Sequence, residues 1–210
     1  MLIPRDSPAG MFVNRGVSLA WHAAYPSEPT GSPVVLIHGA GEHGARYGHV
    51  LDRLAASGRP AFAPDLRGHG RSGGTRAGIR EFAQFTDDLQ TFLAQVVRNH
   101  TDARPFLLGY SLGAAIAVYQ AVADPGHLAG VVLAAPAFGL GPGLAPLQVH
   151  AARLLGFLAP RLRLVGLDPE RFTQDPQVVL DYRADPLNWR GKFESRLVAE
   201  ALNATLASLT

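Results

Sequence analysis

Residues 106–113 read Phe-Leu-Leu-Gly-Tyr-Ser-Leu-Gly, which is a G-x-S-x-G motif placed directly after a short apolar run. A helical pattern of small residues follows over 111–123. A nucleophile at a sharp strand-to-helix turn needs tightly bent backbone, and flanking glycines let the strand and the helix approach each other. Ser111 would lie at a helix N-terminus, where N–H groups favour developing negative charge. The motif therefore predicts that Ser111 is a catalytic nucleophile rather than an incidental helix-capping serine.

A second loop has the composition of an oxyanion hole. The apolar run 34–37 ends in His38-Gly39-Ala40-Gly41, as a buried parallel strand entering a loop should. An oxyanion hole beside such a serine takes the N–H of the following residue, here Leu112, and one N–H from the loop after an earlier strand. We expect Ala40 to supply that second N–H. An ordinary glycine-rich turn is the alternative reading of this loop.

The remaining pattern predicts an α/β fold. Short β-rich runs alternate with helical patterns: strands are predicted over 17–25, 34–37, 59–64, 105–110 and 130–135, and helices over 47–57, 79–99 and 111–123. This alternation predicts a mostly parallel sheet with helices on both faces. After Ala135 glycine, proline and leucine replace the alternation, and helical spacing returns over 147–158 and 187–209. We therefore expect a core over 1–137, a helical cap insertion over 138–185 and a core helix within 186–210.

Composition narrows the class of protein. The chain has 210 residues, is 47% hydrophobic and 17% charged, and contains no cysteine, which suits one globular domain and excludes disulfides, a cysteine nucleophile and cysteine-ligated metal. The net charge is only +2 and the arginines are scattered, so we expect no nucleic-acid partner. No leader, membrane span, metal motif or nucleotide motif is visible. The expectation is a cytoplasmic protein without metal or cofactor.

The sequence resembles the monoacylglycerol lipase and lysophospholipase branch of the α/β-hydrolases. The resemblance rests on the runs 38–43 (HGAGEH), 46–47 (RY), 65–72 (DLRGHGRS) and 109–113 (GYSLG), and on 166–169 (GLDP) and 182–187 (YRADPL) within the cap. Leu112 stands where many members carry methionine. The resemblance implies hydrolysis of carboxylic esters of a monoacyl lipid through an acyl-enzyme on Ser111.

The acid and the base of a serine triad are not evident. In this fold they follow the nucleophile in the order Asp or Glu and then His, and only His127 and His150 follow Ser111. His127 is predicted at the opposite end of the sheet, and His150 in the cap. In the family the two missing groups follow two further strands, about 60 residues in all. We therefore expect a sheet whose last strands are missing and a chain that is nearly inert.

Several histidines have structural interpretations. We expect His69 to shape a turn, and we expect surface or turn positions for His22, His100 and His127. His43 and His49 fall near the predicted oxyanion loop, where they could line the mouth of a pocket.

Three hypotheses remain open at this stage. The first is a serine hydrolase of lipid-like esters, with transient membrane-surface contact through the apolar cap stretch 147–158; a buried cap helix would give the same pattern. The second is a hydrolase of small esters or lactones. The third is a non-catalytic α/β-hydrolase-like binding module.

Overall fold

Six strands form the central sheet of the computed structural model, which describes residues 7–136 and 146–207. They are β1 (Gly10–Asn14), β2 (Val17–Ala24), β3 (Val34–Ile37), β4 (Ala61–Pro64), β5 (Phe106–Tyr110) and β6 (Gly130–Ala134). Their order in the sheet is β1-β2-β4-β3-β5-β6. The last four strands in this order are parallel, and β1 and β2 join antiparallel at one edge. This is the mostly parallel sheet that the sequence predicts.

Helices cover both faces of the sheet. They are α1 (Gly48–Ala56), α2 (Ala83–Phe92), α3 (Arg98–His100) and α4 (Leu112–Ala123), with a π-helical turn over Leu93–Val97 that joins α2 to α3. Alternate residues of β3 divide between two hydrophobic clusters. Val35 and Ile37 belong to a large cluster with residues of α2 and α4, whereas Leu36 packs in a smaller cluster with Leu51 of α1. The central strand is thus buried on both sides, which explains its unbroken apolar sequence.

Over residues 146–207, the chain after β6 adds three α-helices and two short strands. It contains α5 (Pro146–Leu158), β7 (Arg163–Gly166), α6 (Pro176–Ala184), β8 (Lys192–Glu194) and α7 (Ser195–Ala207). β7 and β8 pair antiparallel in a small separate sheet. α5 packs along α7 at Gly156, where an added Cβ would lie 2.5 Å from Ala199 Cβ. The predicted boundaries of the cap stay a prediction.

The structure corrects several predicted elements. The long helix begins at Ala83 rather than at residue 79, and the last helix begins at Ser195 rather than at 187. Strands β1, β7 and β8 were not predicted at all. Within residues 7–136 and 146–207, no helix has the length and apolarity that a membrane span requires.

Candidate active site

Strand pairing brings the two predicted loops together. β3 and β5 are neighbours, and their register places Ile37 opposite Gly109. The strand order reverses at this pair, and ligands of open α/β sheets bind at the carboxyl ends of strands beside such a reversal. Ala40 is three residues beyond Ile37, and Ser111 is two residues beyond Gly109. The loop after β3 and the turn after β5 therefore meet at one edge of the sheet.

The turn at Ser111 has the shape that the G-x-S-x-G motif predicts. Ser111 has φ 51° and ψ −113°, a left-handed conformation that non-glycine residues rarely adopt. Its N–H donates to the Ala134 carbonyl at 3.1 Å, which ties the turn to β6. A Cβ on Gly109 would lie 2.4 Å from the Gly113 carbonyl oxygen, and one on Gly113 would lie 2.0 Å from the Ile37 carbonyl oxygen. Both glycines are therefore required for the close approach of α4 to β3 and β5.

The loop after β3 is held by side chains on both sides. Glu42 Oε1 accepts the Gly39 N–H at 2.8 Å and the Tyr47 hydroxyl at 2.7 Å. His38 Nδ1 lies 2.7 Å from the Gly39 carbonyl oxygen. Gly41 has φ 82°, and a Cβ there would also meet the Tyr182 hydroxyl at 3.0 Å. Sequence reasoning did not identify Glu42 as part of the site, although it falls in the run 38–43.

Ser111 and Ala40 line the same cavity, whose volume is about 200 Å³. Half of its lining comes from the core, from Gly39, Ala40, Glu42, Arg46, Tyr110 and Ser111. The other half comes from the chain after β6, from Leu167, Pro169, Phe172, Thr173, Val178 and Tyr182. The cavity thus has a polar part, formed by Glu42 and Arg46, and an apolar wall.

The predicted oxyanion donors are the backbone N–H groups of Leu112 and Ala40. Leu112 is the first residue of α4, so its N–H has no acceptor within the helix. No hydrogen bond among the described residues uses the Ala40 N–H. The Ser111 hydroxyl likewise has no hydrogen-bond partner in the described part of the chain, and no histidine there contacts it. His127 pairs with Asp124 on a turn that precedes β6, at the other end of the sheet.

Two histidines lie in places that the sequence did not predict. His22 was expected at the surface but is buried, because β2 lies between β1 and β4 and is covered on both faces from Leu19 onward. The sequence left open that His43 lines the mouth of a pocket. His43 is instead buried, and its Nε2 lies 2.8 Å from Asp185 Oδ2. The His43–Asp185 pair links the loop after β3 to the end of α6.

A network of buried polar groups also supports the loop after β3. Asp65 Oδ1 accepts the Gly44 N–H at 2.8 Å, and His22 Nε2 lies 3.3 Å from the same oxygen. Burial by itself raises the pKa of Asp65, but the contact with His22 and the nearby imidazoles and N–H groups lower it to about 2. Burial and the neighbouring His69 lower the pKa of His38 to about 3. Burial also raises the pKa of Glu42, despite its hydrogen bond with Tyr47.

No metal site is apparent in the part of the chain that the structure describes. Residues 7–136 and 146–207 contain no group of three or more His, Cys, Asp or Glu side chains arranged to hold an ion.

Comparisons with known proteins agree with this geometry. Residues 28–209 match the family model Hydrolase_4, described as serine aminopeptidase, S33. The chain is 36% identical over 187 residues to a monoacylglycerol lipase of Mycolicibacterium smegmatis, covering 89% of this chain and 66% of that protein. It is 35% identical over 181 residues to human monoglyceride lipase, covering 84% of this chain and 60% of that protein. The chain thus spans about three fifths to two thirds of the length of these relatives.

A solved structure shows the same fold at moderate identity. The crystal structure of the Paleococcus ferrophilus monoacylglycerol lipase matches with a TM-score of 0.78 and 29% identity, over 90% of this chain and 71% of that one. The sequence, the fold and the strand–turn–helix at Ser111 lead to one assignment. The chain belongs to the Hydrolase_4 family of α/β-hydrolases, in its monoacylglycerol lipase-like branch.

Proposed function

We propose that the protein is a serine hydrolase that cleaves carboxylic esters of monoacylglycerol or lysophospholipid type through an acyl-enzyme on Ser111. The observation that carries this proposal is the strained turn that presents Ser111 to the cavity it shares with Ala40. The names of the relatives, which are monoacylglycerol lipases, support a lipid ester as the substrate.

The proposed chemistry follows from this arrangement. Ser111 Oγ bonds to the ester carbonyl carbon while its hydroxyl proton passes to solvent water, and the resulting oxyanion accepts hydrogen bonds from the N–H groups of Ala40 and Leu112. Collapse of this intermediate breaks the bond to the alcohol oxygen, which takes a proton from water, and leaves an acyl group on Ser111. Water then adds to the acyl-enzyme and releases the carboxylic acid.

The cavity has two kinds of wall for such a substrate. Glu42 and Arg46 form its polar part, and Arg46 lies over the Tyr182 ring with its guanidinium carbon 5.1 Å from the ring centre. Leu167 and Phe172 form an apolar part that suits an acyl chain. We assign the polar part to the alcohol half of the ester and the apolar part to the acyl half.

We further propose that the 210-residue chain turns over slowly on its own. The Ser111 hydroxyl must lose a proton as it attacks, and within the described residues no side chain accepts a hydrogen bond from it. An oxyanion hole and substrate binding without the base can still accelerate hydrolysis by about 10³ to 10⁴ over water.

The test uses an activated ester, whose leaving group needs no acid. The chain is incubated with p-nitrophenyl butyrate, and the acylated residue is identified by mass spectrometry of its peptides. We expect a slowly formed butyryl group on Ser111, no such adduct in Ser111→Ala, and an unchanged result in the exposed-serine control Ser57→Ala. Equal labelling of Ser111→Ala, or no labelling of Ser111, would refute the serine mechanism. Turnover at ordinary enzyme rates of about 1–10³ s⁻¹ would refute the slow-turnover proposal.

A hydrolase of small esters or lactones is the second candidate, favoured by the modest cavity volume of about 200 Å³. A series of p-nitrophenyl esters from acetate to palmitate, together with monoacylglycerols and an aminoacyl p-nitroanilide, separates the candidates. Acylation that rises with chain length supports the lipid ester. Acylation that is fastest for acetate supports the small ester. Cleavage of the anilide alone would contradict both.

We also propose that the cap touches the lipid surface from which such a substrate comes. Leu147, Leu154 and Leu158 follow one stripe of α5 and are exposed, as are Phe157 beside them and Phe172 beyond β7. Leu147 is 79% and Phe157 75% exposed, so this stripe does not pack in a cap interior within the described residues. A cluster of exposed apolar side chains on a helix favours interfacial binding.

Co-sedimentation with vesicles of phosphatidylcholine and phosphatidylglycerol tests the membrane proposal. We expect the protein to bind, and Leu154→Glu and Phe157→Glu each to weaken binding at least tenfold. Val122→Glu is the matched control, because Val122 is equally exposed but lies on α4. Absence of binding by the unmodified chain, or equal loss in Val122→Glu, would contradict a role for the cap.

A further inference from the structure

The ring of His38 bridges two backbone groups, and this fixes its tautomer. The Leu66 N–H donates to His38 Nε2 at 2.9 Å, so that nitrogen carries a lone pair and no proton. The proton of the neutral ring is therefore on Nδ1, which donates to the Gly39 carbonyl oxygen at 2.7 Å. His38 is completely buried, and it connects the loop after β3 to the chain that leaves β4.

The hydrogen bond to Gly39 also orients the next N–H group. The Gly39 carbonyl and the Ala40 N–H belong to the same peptide unit, which is planar and trans, so they point in opposite directions. Since the carbonyl points towards the His38 ring, the Ala40 N–H points away from it. Ala40 lines the cavity with Ser111, and its N–H has no partner among the described residues.

We propose that His38 is a positioning residue for the oxyanion hole: by holding the Gly39 carbonyl through Nδ1–H, it aims the Ala40 N–H at the ester oxygen. This rests on the proposed function, which makes the Ala40 N–H an oxyanion donor. Glu42 acts on the preceding peptide unit, because its Oε1 accepts the Gly39 N–H at 2.8 Å. Two consecutive peptide units are thus held before substrate arrives, and such preorganised donors are the effective ones in catalysis.

The surroundings of His38 keep it in the neutral form that this role requires. Its ring lies 5.5 Å from the His69 ring, centre to centre, and Asp65 and His43 are the other titratable groups that act on it. Burial and His69 lower the pKa of His38 to about 3. A protonated ring would direct an N–H at the Leu66 N–H, so the bridge exists only with the neutral ring.

Two substitutions separate the halves of the bridge. In His38→Asn the side-chain amide occupies the place of Nδ1 and can still donate to the Gly39 carbonyl. In His38→Gln the amide oxygen reaches the place of Nε2 and can accept the Leu66 N–H, but nothing donates to Gly39. His38→Asn leaves the Leu66 N–H without an acceptor, and His38→Gln leaves the Gly39 carbonyl without a donor. A merely structural histidine would therefore make His38→Asn at least as impaired as His38→Gln.

The decisive measurement is the rate at which p-nitrophenyl butyrate acylates Ser111 in folded samples of the two variants. We expect His38→Asn to stay within a few-fold of the unmodified chain and His38→Gln to lose about 10²-fold, as when an oxyanion donor is removed. Urea unfolding checks that both variants are folded to a similar extent. Equal losses in the two variants, or a larger loss in His38→Asn, would overturn the proposal.

A second readout does not depend on catalysis and applies even if Ser111 proves unreactive. Nitrogen-15 spectra of the histidines should show His38 protonated on Nδ1 and not on Nε2. Amide hydrogen exchange and the nitrogen-15 shift of Ala40 should change in His38→Gln and stay close to the original in His38→Asn. A ring protonated on Nε2, or an Ala40 amide unaffected by His38→Gln, would overturn the positioning role itself. A failed acylation with these spectra as expected would refute only the proposed function.

Discussion

Ser111 occupies a backbone conformation that costs free energy. With φ 51° and ψ −113° it lies in a region that disfavours any residue with a Cβ, at a cost of about 1–3 kcal/mol. The hydrogen bond from its N–H to the Ala134 carbonyl and the packing of Gly113 on Ile37 hold it there. The side chain forms no capping hydrogen bond with α4, and Ser111 instead lines the cavity.

The strain at Ser111 predicts an unusual order of stabilities. Ser111→Gly should be more stable than Ser111→Ala by about 1 kcal/mol, because relief of about 1–2 kcal/mol of left-handed strain exceeds the roughly 0.4–1 kcal/mol lost to the greater freedom of unfolded glycine. Urea unfolding of the two variants measures the difference. An alanine variant as stable as the glycine variant would show that the turn is not strained.

At the scale of elements, the site depends on how closely helix α4 approaches strand β3. Gly113 is where they meet, and the nearest atoms to an added Cβ are the carbonyl oxygen and carbon of Ile37, at 2.0 Å and 2.6 Å. These are backbone atoms of a central strand and cannot move aside like a flexible side chain. The separation between the nucleophile turn and the loop after β3 is therefore set by this contact.

Gly113→Ala should destabilise the fold by about 3 kcal/mol or more, because the helix must shift away from the strand. Gly126→Ala is the matched control, since an added Cβ there meets nothing within 4 Å, and we expect a change within about 0.5 kcal/mol. Urea unfolding followed by circular dichroism measures both. Similar stabilities for the two variants would contradict the close contact between α4 and β3.

A buried ion pair joins the loop after β4 to helix α2. Arg67 binds Asp88 through two hydrogen bonds, of 2.9 Å and 2.6 Å, and Asn14 of β1 also donates to Asp88 at 2.7 Å. Arg67→Met should cost about 3–5 kcal/mol because it leaves Asp88 buried without its counter-charge. The double variant Arg67→Met/Asp88→Leu should cost clearly less than the sum of the two single variants. Additive losses in this cycle, measured by urea unfolding, would mean that the pair is not coupled.

The sequence predicted the centre of the sheet better than its margins, and contacts explain why. Strand β3 is buried on both faces, and β5 is buried on one face and half-buried on the other, so their apolar runs are unambiguous. The three residues of β8 are identifiable only from their pairing with β7, more than twenty residues away. The last helix, α7, begins later than the sequence predicts because the chain before it contacts the loop after β3. The backbone N–H of Trp189 donates there to the Gly41 carbonyl at 2.8 Å.

The candidate site shows the same limit. Ser111, Ala40 and Leu112 were predicted from local motifs, because a nucleophile turn and an oxyanion loop are each encoded in a few adjacent residues. The pairing of His43 with Asp185 spans 142 positions, and no local pattern signals it. The same holds for Tyr182, whose hydroxyl donates to the Gly41 carbonyl at 3.0 Å.

At the scale of the whole molecule, buried imidazoles make the fold sensitive to acid. Burial lowers the pKa of His38 to about 3 and that of His69 to about 4, whereas in the unfolded chain both titrate near 6.5. Below pH 6.5 the unfolded state therefore binds more protons than the folded state. Stability should rise with pH between about 4 and 6.5. Asp65, with its pKa lowered to about 2, extends the loss of stability below about pH 4.

We expect the free energy of unfolding to be roughly 4 kcal/mol lower at pH 5 than at pH 7, about 2 kcal/mol for each of these two histidines. His69→Asn, which keeps a donor for the Arg67 carbonyl, should remove about half of this dependence. Urea unfolding at several pH values measures how the free energy of unfolding changes with pH. A free energy that stays constant between pH 5 and 7 would contradict the burial of His38 and His69 in their neutral forms.

The two halves of the cavity lining come from separate lengths of chain. Ser111 and the loop after β3 precede residue 137, and their relative position depends on one strand pairing, in which Ile37 lies opposite Gly109. The facing wall, from Leu167 to Tyr182, follows residue 146 and belongs to no strand of the central sheet. An insertion in the first length would move Ser111 relative to Ala40. Changes in the second length alter the facing wall alone, except at Tyr182, whose hydroxyl also donates to the Gly41 carbonyl. Under the proposed function, exchanging the rest of that wall between relatives is therefore a route to new ester preferences that leaves Ser111 and the loop after β3 in place.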